Sequence, residues 1–208
     1  MTRRTRWLLI IVLILVLLTV PGVLRVYSIA GPSDAPTLVI GDRVLVNRAA
    51  YDAVLPYLHL RLFSWGDPGR GEMVILRPPQ RDDVTATKRV VGVPGDRIEM
   101  RGHRLWVNGE PLRYERLDPA EFAWIPGENS MGPVVERERG SGIDHTITRR
   151  SDGGAPASFG PVDLGEDEYF VLGDNRTDSR DSRDYGPVPR DRIQGKVLGL
   201  LAPGPERP

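Results

Sequence analysis

Residues 88–96 read KRVVGVPGD, a lysine followed by a run of valines that Gly and Pro end. β-Branched residues favour strands because their side chains pack well on a pleated surface. Similar short runs occur at residues 43–46, 73–76 and 168–172. Asn108-Gly109 supplies the positive φ angles of a two-residue turn and indicates a hairpin. We therefore expect a mainly β protein, with a possible short helix only within residues 51–63.

The composition excludes several kinds of chemistry. The 208-residue chain carries 28 basic and 28 acidic residues, so its net charge gives no support for a nucleic-acid partner. It has no cysteine, which rules out disulfides, thiolate catalysis and cysteine-ligated metals. The part after residue 24 is long enough for one domain, alone or with an insertion. The polar stretch at residues 112–161 is expected to be a peripheral insertion or a mobile excursion, with the charge run at 136–139 (ERER) on a solvated face.

The N-terminal segment predicts a membrane anchor. Residues 7–24 contain no charge and would span roughly 27 Å as a helix, enough to cross a bilayer core. Three arginines precede this segment and only Arg25 follows it closely, so the N-terminus is expected inside. Residues 1–6 are then cytoplasmic and residues 25–208 extracytoplasmic. A cleaved secretory signal ending at Ala30 is the alternative, but the apolar run is longer than a usual signal core.

Ser33 lies nine residues beyond this segment, in the run GPSDAPTL at 31–38, so any chemistry it performs takes place at a membrane surface. A serine in such a run is commonly a turn residue, and a nucleophilic serine needs a base. Lys88 is the better candidate base, because the valines beside it can desolvate its amine and lower its pKa. Lowering the pKa by one costs about 1.4 kcal/mol. An exposed edge-strand lysine that discourages aggregation is the alternative. The histidines lie in contexts typical of structural residues, and they are His59, His103 and His145.

A third segment, residues 173–183, reads GDNRTDSRDSR and is dense in Asp, Asn, Arg and Ser. Its acids could suggest a calcium loop, but the segment lacks the Gly and the final Glu of an EF-hand. Arginines are interleaved with the acids, which favours internal ion pairs over a bound metal. A loop rich in Asx turns is the plainer alternative.

Together these segments resemble the sequence boxes of bacterial type I signal peptidases, the membrane-bound Ser-Lys proteases that remove signal peptides from exported proteins. The matching stretches occur in the family's order and are residues 33–42, 71–74, 88–96 and 173–189. The resemblance implies antiparallel β-sheets of the signal-peptidase type with one N-terminal transmembrane helix, in a single-pass protein of the cytoplasmic membrane. It also implies that no cofactor is needed. The implied partners are the signal peptides of exported preproteins and membrane lipid.

The resemblance assigns roles to particular residues. Ser33 matches the nucleophile and Lys88 the general base, and the backbone N–H of Ser33 would meet the oxyanion. Ser179 matches the hydroxyl that orients the lysine amine, whereas Gly31 stands where some members carry a serine whose hydroxyl helps. Two structural ion pairs are implied near the site, and they are Asp181 with Arg183 and Arg89 with Asp174.

The substrate is expected to bind extended along strand edges at residues 27–30 and 85–87, with small pockets that select short side chains just before the cut. One departure from the family concerns the residue after the nucleophile, which is usually Met and here is Asp34. A carboxylate facing Lys88 would raise the pKa of its amine and oppose its use as a base, unless that carboxylate points into solvent.

Two other functions stay open. A self-cleaving, repressor-type Ser-Lys protease would need a DNA-binding or cleavable region, and residues 1–6 are too short to supply one. The alternative from a different class is a catalytically inactive, membrane-tethered β-domain that only binds peptides, with Asp34 as the sign of lost catalysis.

Overall fold

The computed structural model describes residues 3–8, 10, 23–55, 60–79, 81–122, 124–125, 133–150, 158–205 and 207. Most of their regular structure is strand, as the short β-branched runs predict. In chain order the strands are β1 (Leu24–Ser28), β2 (Arg43–Asn47), β3 (Asp52–Leu55), β4 (Leu60–Ser64), β5 (Met73–Leu76), β6 (Ala86–Gly92), β7 (Arg97–Arg101), β8 (Arg104–Val107), β9 (Glu110–Pro111), β10 (Arg113–Arg116), β11 (Pro133–Gly140), β12 (Ile143–Arg150), β13 (Phe159–Asp163), β14 (Glu168–Leu172), β15 (Val188–Pro189) and β16 (Ile193–Ala202). The helical pieces are α1 (residues 3–8), the single turn α2 (Ser182–Tyr185), and 3₁₀ turns at Pro119–Phe122 and Arg190–Arg192.

Seven strands form the largest sheet, in the order β1-β2-β16-β5-β6-β14-β15, with antiparallel pairing throughout. The strand that carries Lys88, β6, lies in the interior of this sheet between β5 and β14. Successive side chains of a strand point to opposite faces, and Val90 and Val91 accordingly enter two different apolar clusters. The sheet is therefore covered on both faces at β6, which explains why this strand is apolar without alternation.

Three smaller sheets complete the fold, with strand orders β13-β7-β8-β9, β10-β11-β12 and β3-β4. The predicted hairpin turn at Asn108-Gly109 joins β8 to β9, with φ angles of 54° and 83°. The expected short helix within residues 51–63 is wrong, because β3 and β4 pair there as an antiparallel hairpin. A short apolar run fits a helix and a buried strand equally well, and only strand pairing distinguishes them.

The stretch at residues 112–161 is more regular than its composition indicates. It contains β10, β11 and β12, and Val135, Ile143 and Ile147 are buried there. Its two longer strands pair over eight residues each. The described part of this stretch thus forms a packed sheet whose buried side chains can reach the rest of the molecule.

The predicted membrane segment at residues 7–24 falls mostly outside the described residues, and its last residue, Leu24, begins β1. Within the described ranges, no helix is long and apolar enough to cross a membrane. The transmembrane helix, the cytoplasmic residues 1–6 and the extracytoplasmic residues 25–208 stay predictions. His59 also lies outside the described residues.

Candidate active site

Ser33 lies on the loop that connects β1 to β2. Two backbone hydrogen bonds close the base of this loop, from Ile29 N–H to the carbonyl of Asp42 at 2.8 Å and from Gly41 N–H to the carbonyl of Ile29 at 2.8 Å. At its tip, the carbonyl of Ser33 accepts a hydrogen bond of 3.0 Å from the backbone N–H of Asn175. This hydrogen bond fixes the loop to residues 173–183, the segment that is dense in Asp, Asn, Arg and Ser.

The side chain of Lys88 meets Ser33 inside the protein. Lys88 is 3% exposed, and its Nζ lies 2.6 Å from Ser33 Oγ and 2.6 Å from the carbonyl oxygen of Thr87. The two contacts fix the position of this buried amine. The pair is therefore placed for proton transfer between a hydroxyl and an amine.

Asp34 also points into the protein and not into solvent. It is 2% exposed, and its Oδ1 lies 3.6 Å from Lys88 Nζ. That oxygen has no hydrogen-bond partner among the described residues. Burial raises the pKa of Asp34 to about 7, against the opposing effect of Lys88 and with a further increase from Asp174. The Ser33 hydroxyl and Arg89 favour the ionised form. The carboxylate that the sequence marks as a departure thus belongs to the site.

Arg89 and Asp174 form a buried ion pair beside the site. The guanidinium makes two hydrogen bonds to the carboxylate, of 2.8 and 2.6 Å, and Thr37 donates a third of 2.5 Å. Burial opposes ionisation of Asp174, but Arg89 outweighs it and holds the pKa of this carboxyl below its usual value. The pair joins the middle of the Lys88 strand to the segment after β14.

Asp181 and Arg183 form a second pair within residues 173–183. Arg183 donates hydrogen bonds of 2.8 and 2.7 Å to the carboxylate, and the backbone N–H of Gly173 donates one of 3.0 Å. Burial opposes ionisation, yet Arg183 and Gly173 keep the pKa of Asp181 below its usual value. Asp181 also caps α2, so this pair fixes the turn that returns the chain towards β15.

Ser179 and Gly173 lie where this segment approaches Ser33. Within the described ranges Ser179 Oγ is buried without a hydrogen-bond partner, so the expected contact with the Lys88 amine stays a prediction. A Cβ at position 173 would come within 2.2 Å of Ser179 Oγ and 2.4 Å of the Ser33 carbonyl oxygen. Only glycine fits between the two serines.

The buried charges continue into the 112–161 stretch, which sequence reasoning missed. Glu138 is fully buried and receives two hydrogen bonds from Arg176, of 2.9 and 2.5 Å. His145 Nε2 lies 3.4 Å from Glu138 and 3.5 Å from Asp174, and burial lowers the pKa of this histidine to about 4. The solvated face expected for residues 136–139 is wrong, because both glutamates of the run point inwards. A period of two in the letters ERER was the signal of a strand with one buried face.

Gly31 leaves open space on the chain just before Ser33. A Cβ built there would meet no atom within 4 Å, and the residue is partly exposed. A larger side chain could therefore be accommodated at the position where the resemblance places a helper hydroxyl.

Two strands of the large sheet have an unpaired edge among the described residues. β1 is the terminal strand of the sheet, so residues 24–28 pair on one side only within the described ranges. β14 pairs with β6 only from residue 89 onwards, so the first residues of β6 have no described partner on that side. An extended peptide could add to either edge by main-chain hydrogen bonds.

A serine hydroxyl held against a buried lysine amine, on a β scaffold, is the arrangement of the serine hydrolases that use lysine in place of histidine as the base. The family model for signal peptidase, peptidase S26, matches residues 2–201. Signal peptidase I from Pseudomonas fluorescens is 32% identical over 207 residues, which cover 94% of this chain and 70% of that protein. Signal peptidase I S from Bacillus subtilis is 31% identical and covers 93% of this chain and 85% of its own.

A solved structure, a signal peptidase I from Enterococcus faecalis, is 28% identical to this chain. It covers 67% of this chain and all of its own, with a TM-score of 0.37. The family model and the two curated relatives carry the assignment: the chain belongs to the signal peptidase family, peptidase S26, and is a serine protease hydrolase of that family. The resemblance that the sequence motifs indicated is confirmed.

Proposed function

We propose that this protein removes signal peptides from exported preproteins, with Ser33 as nucleophile and Lys88 as general base. The observation that supports this most directly is the 2.6 Å contact between Lys88 Nζ and Ser33 Oγ in a buried setting. Lys88 takes the hydroxyl proton while Oγ attacks the scissile carbonyl, and the ammonium then gives this proton to the leaving amine as the peptide bond breaks to form an acyl-enzyme. Water activated by Lys88 releases the second product. The backbone N–H of Ser33 stabilises the oxyanion.

The substrate binds as an extended peptide between the edge of β1 and the start of β6. Main-chain pairing of this kind gives affinity that does not depend on sequence, and pockets for alternate side chains give specificity. Small pockets select short side chains just before the cut. Ser179 orients the Lys88 amine once the substrate is bound.

The membrane places substrate and enzyme together. Residues 7–24 anchor the protein in the cytoplasmic membrane with residues 1–6 inside, and membrane lipid surrounds this segment. Ser33 follows closely in the chain, so a signal peptide that spans the bilayer presents its cleavage site at a similar height.

Cleavage of a preprotein by the detergent-solubilised full chain tests this function. Ser33→Ala is expected to abolish cleavage, because the alanine has no hydroxyl to attack the carbonyl. Ser158→Ala, at an exposed position, serves as the matched control and is expected to cleave normally. Persistent cleavage by Ser33→Ala would overturn the proposed nucleophile. An inactive unmodified protein that still binds the preprotein would favour the peptide-binding alternative.

Gly31→Ser is expected to raise kcat about three- to tenfold with little change in KM. The site has room for the side chain, and a hydroxyl beside Ser33 would add a donor to the oxyanion, where one donor can be worth a hundredfold or more. Steady-state kinetics on a synthetic signal-peptide substrate measures the effect. Gly31→Ala has the same Cβ without a donor and is expected to show no gain. Equal rates for the two variants would contradict the expectation.

A further inference from the structure

We propose that Asp34 is a third functional member of this site, a positioning residue that stabilises the ammonium formed when Lys88 takes the Ser33 proton. This inference rests on the proposed function and concerns its base. Asp34 acts through Lys88 and does not touch the scissile carbonyl. The aspartate of a Ser-His-Asp triad has a similar effect when it stabilises the protonated histidine.

The geometry of the amine supports this role. An ammonium has three donors, and Lys88 directs hydrogen bonds at Ser33 Oγ and the Thr87 carbonyl. Asp34 Oδ1 lies 3.6 Å from the amine and is buried without a hydrogen-bond partner in the described part of the chain. At 3.6 Å the contact with Asp34 is an attraction between charges and not a hydrogen bond, so it leaves the third donor for the proposed contact with Ser179.

The other charges around Asp34 are already matched. On β6 its neighbour is Arg89, which is paired with Asp174 from the segment after β14. His145 of β12 faces Asp174, and burial keeps it neutral above a pKa of about 4. Tyr185 of α2 faces Asp34 and is uncharged, because burial and nearby carboxylates raise the pKa of its phenol. Lys88 is thus the one cation left for Asp34 within the described part of the chain.

The chemical step balances without a further reagent. The O–H bond of Ser33 breaks, an N–H bond forms on Lys88, and the oxygen electron pair forms the bond to the scissile carbonyl carbon. The carbonyl oxygen takes the negative charge, and a positive charge develops 3.6 Å from Asp34 Oδ1. In a site sheltered from water, this attraction is stronger than it would be in solution.

Asp34 has two opposing effects on the rate. It favours the ammonium before reaction, so the free amine becomes scarcer at low pH. It also makes the free amine a stronger base, so each free amine reacts faster. Since burial raises the pKa of Asp34 to about 7, the carboxylate is ionised above neutral pH, and a titration step measured in the pH profile would belong to the coupled Asp34–Lys88 pair. Asp34 therefore lowers kcat/KM at acid pH and raises it at alkaline pH.

The pH profile of kcat/KM, measured from about pH 5 to pH 10 on the full chain with a signal-peptide substrate, tests this inference. Asp34→Asn keeps the size of the side chain and removes the charge. The acid limb of its profile is expected to move to lower pH, and its alkaline plateau is expected to fall. If proton transfer is half complete in the transition state, the plateau falls about threefold for each pH unit that the limb moves. The two profiles should cross. Asp34→Met, also uncharged, should change the profile in the same direction.

Three results would overturn the inference. An acid limb that moves while the plateau stays or rises means that Asp34 only hinders Lys88. A plateau that falls without movement of the limb means a structural role alone. An unchanged profile means that the two groups do not interact.

A measurement independent of activity uses the fact that the chain has only two lysines, Lys88 and Lys196. Lysine labelled with ¹³C at Cε gives two resonances, and Lys196→Arg leaves that of Lys88. Its titration midpoint should be lower in Asp34→Asn, and an unmoved midpoint would refute the interaction even if that variant cleaves poorly. Ser33→Ala separates the two proposals. If this variant still cleaves, the proposed function fails. If it is inactive and the pH profiles of the unmodified protein and Asp34→Asn do not cross, only the role of Asp34 fails.

Discussion

Lys88→Met is expected to lower kcat/KM at least about a thousandfold, the upper range for loss of a general base. Met is close to Lys in length and apolar, so it can occupy the same buried channel without accepting a proton. Asp34 loses its cation in this variant, but a carboxyl whose pKa burial already raises to about 7 can become neutral instead. We therefore expect a folded and inactive protein, which the preprotein cleavage assay and a thermal unfolding scan would establish together.

Lys196→Met is the matched control, because Lys196 is the other lysine of the chain and lies on β16, paired with Glu72. This ion pair is partly exposed, and such pairs contribute little, so its activity should stay within about twofold of the unmodified protein. A Lys88→Met protein that retains a tenth of the activity would rule out the amine as the base. A loss in both variants would point to a general need for positive charge.

The strands and the chemistry-bearing segments of this fold could be predicted because their signals are local. A β-branched run between Gly and Pro is a strand in most surroundings, as at β6, and Asn108-Gly109 forms the turn that its φ angles favour. The contact between Ser33 and Lys88 spans 55 positions, and composition alone does not predict it. The family resemblance supplied that pairing.

The features that sequence reasoning missed depend on strand register. Glu138 and His145 face each other in the β11–β12 hairpin, and the isolated bridge from Thr148 to Asn175 aligns that hairpin with the segment at 173–183. A one-residue slip of β11 would turn Glu138 outwards and make the expected solvated charge run correct. Asp34 is a related case, since its sequence neighbours do not determine whether it points inwards. Both outcomes require the packed structure.

The same register connects the 112–161 stretch to the site through a buried ion pair. Glu138 pairs with Arg176, which belongs to the segment that also holds Asn175 against the Ser33 carbonyl. The backbone N–H of Arg176 in turn donates to the carbonyl of Thr148 on β12. A disturbance of this stretch should therefore reach the loop of Ser33, although no residue of it is assigned to catalysis.

Arg176→Met is expected to destabilise the protein by about 3–5 kcal/mol, the cost of leaving one partner of a buried ion pair alone. Burial opposes ionisation of Glu138, and Arg176 is the main group that keeps its pKa below the usual value. Without Arg176 this carboxylate must take up a proton or remain charged in the interior. The loss should be measurable as a shift in the unfolding transition of the full chain in detergent, with a fall in activity because Arg176 adjoins Asn175.

The double variant Glu138→Leu with Arg176→Met tests whether the loss of stability comes from the ion pair between these two residues. Removing both charges replaces an ion pair by apolar side chains, so it should recover much of the stability that Arg176→Met alone loses. Arg137→Met is the control from the same strand, since Arg137 pairs with Asp144 at the exposed surface and should affect unfolding little. A double variant no more stable than Arg176→Met would show that Arg176 stabilises the fold through its contact with the Gly173 carbonyl instead of through Glu138. Recovery of stability without recovery of activity would show that the charge pair orders the Ser33 loop beyond its effect on folding.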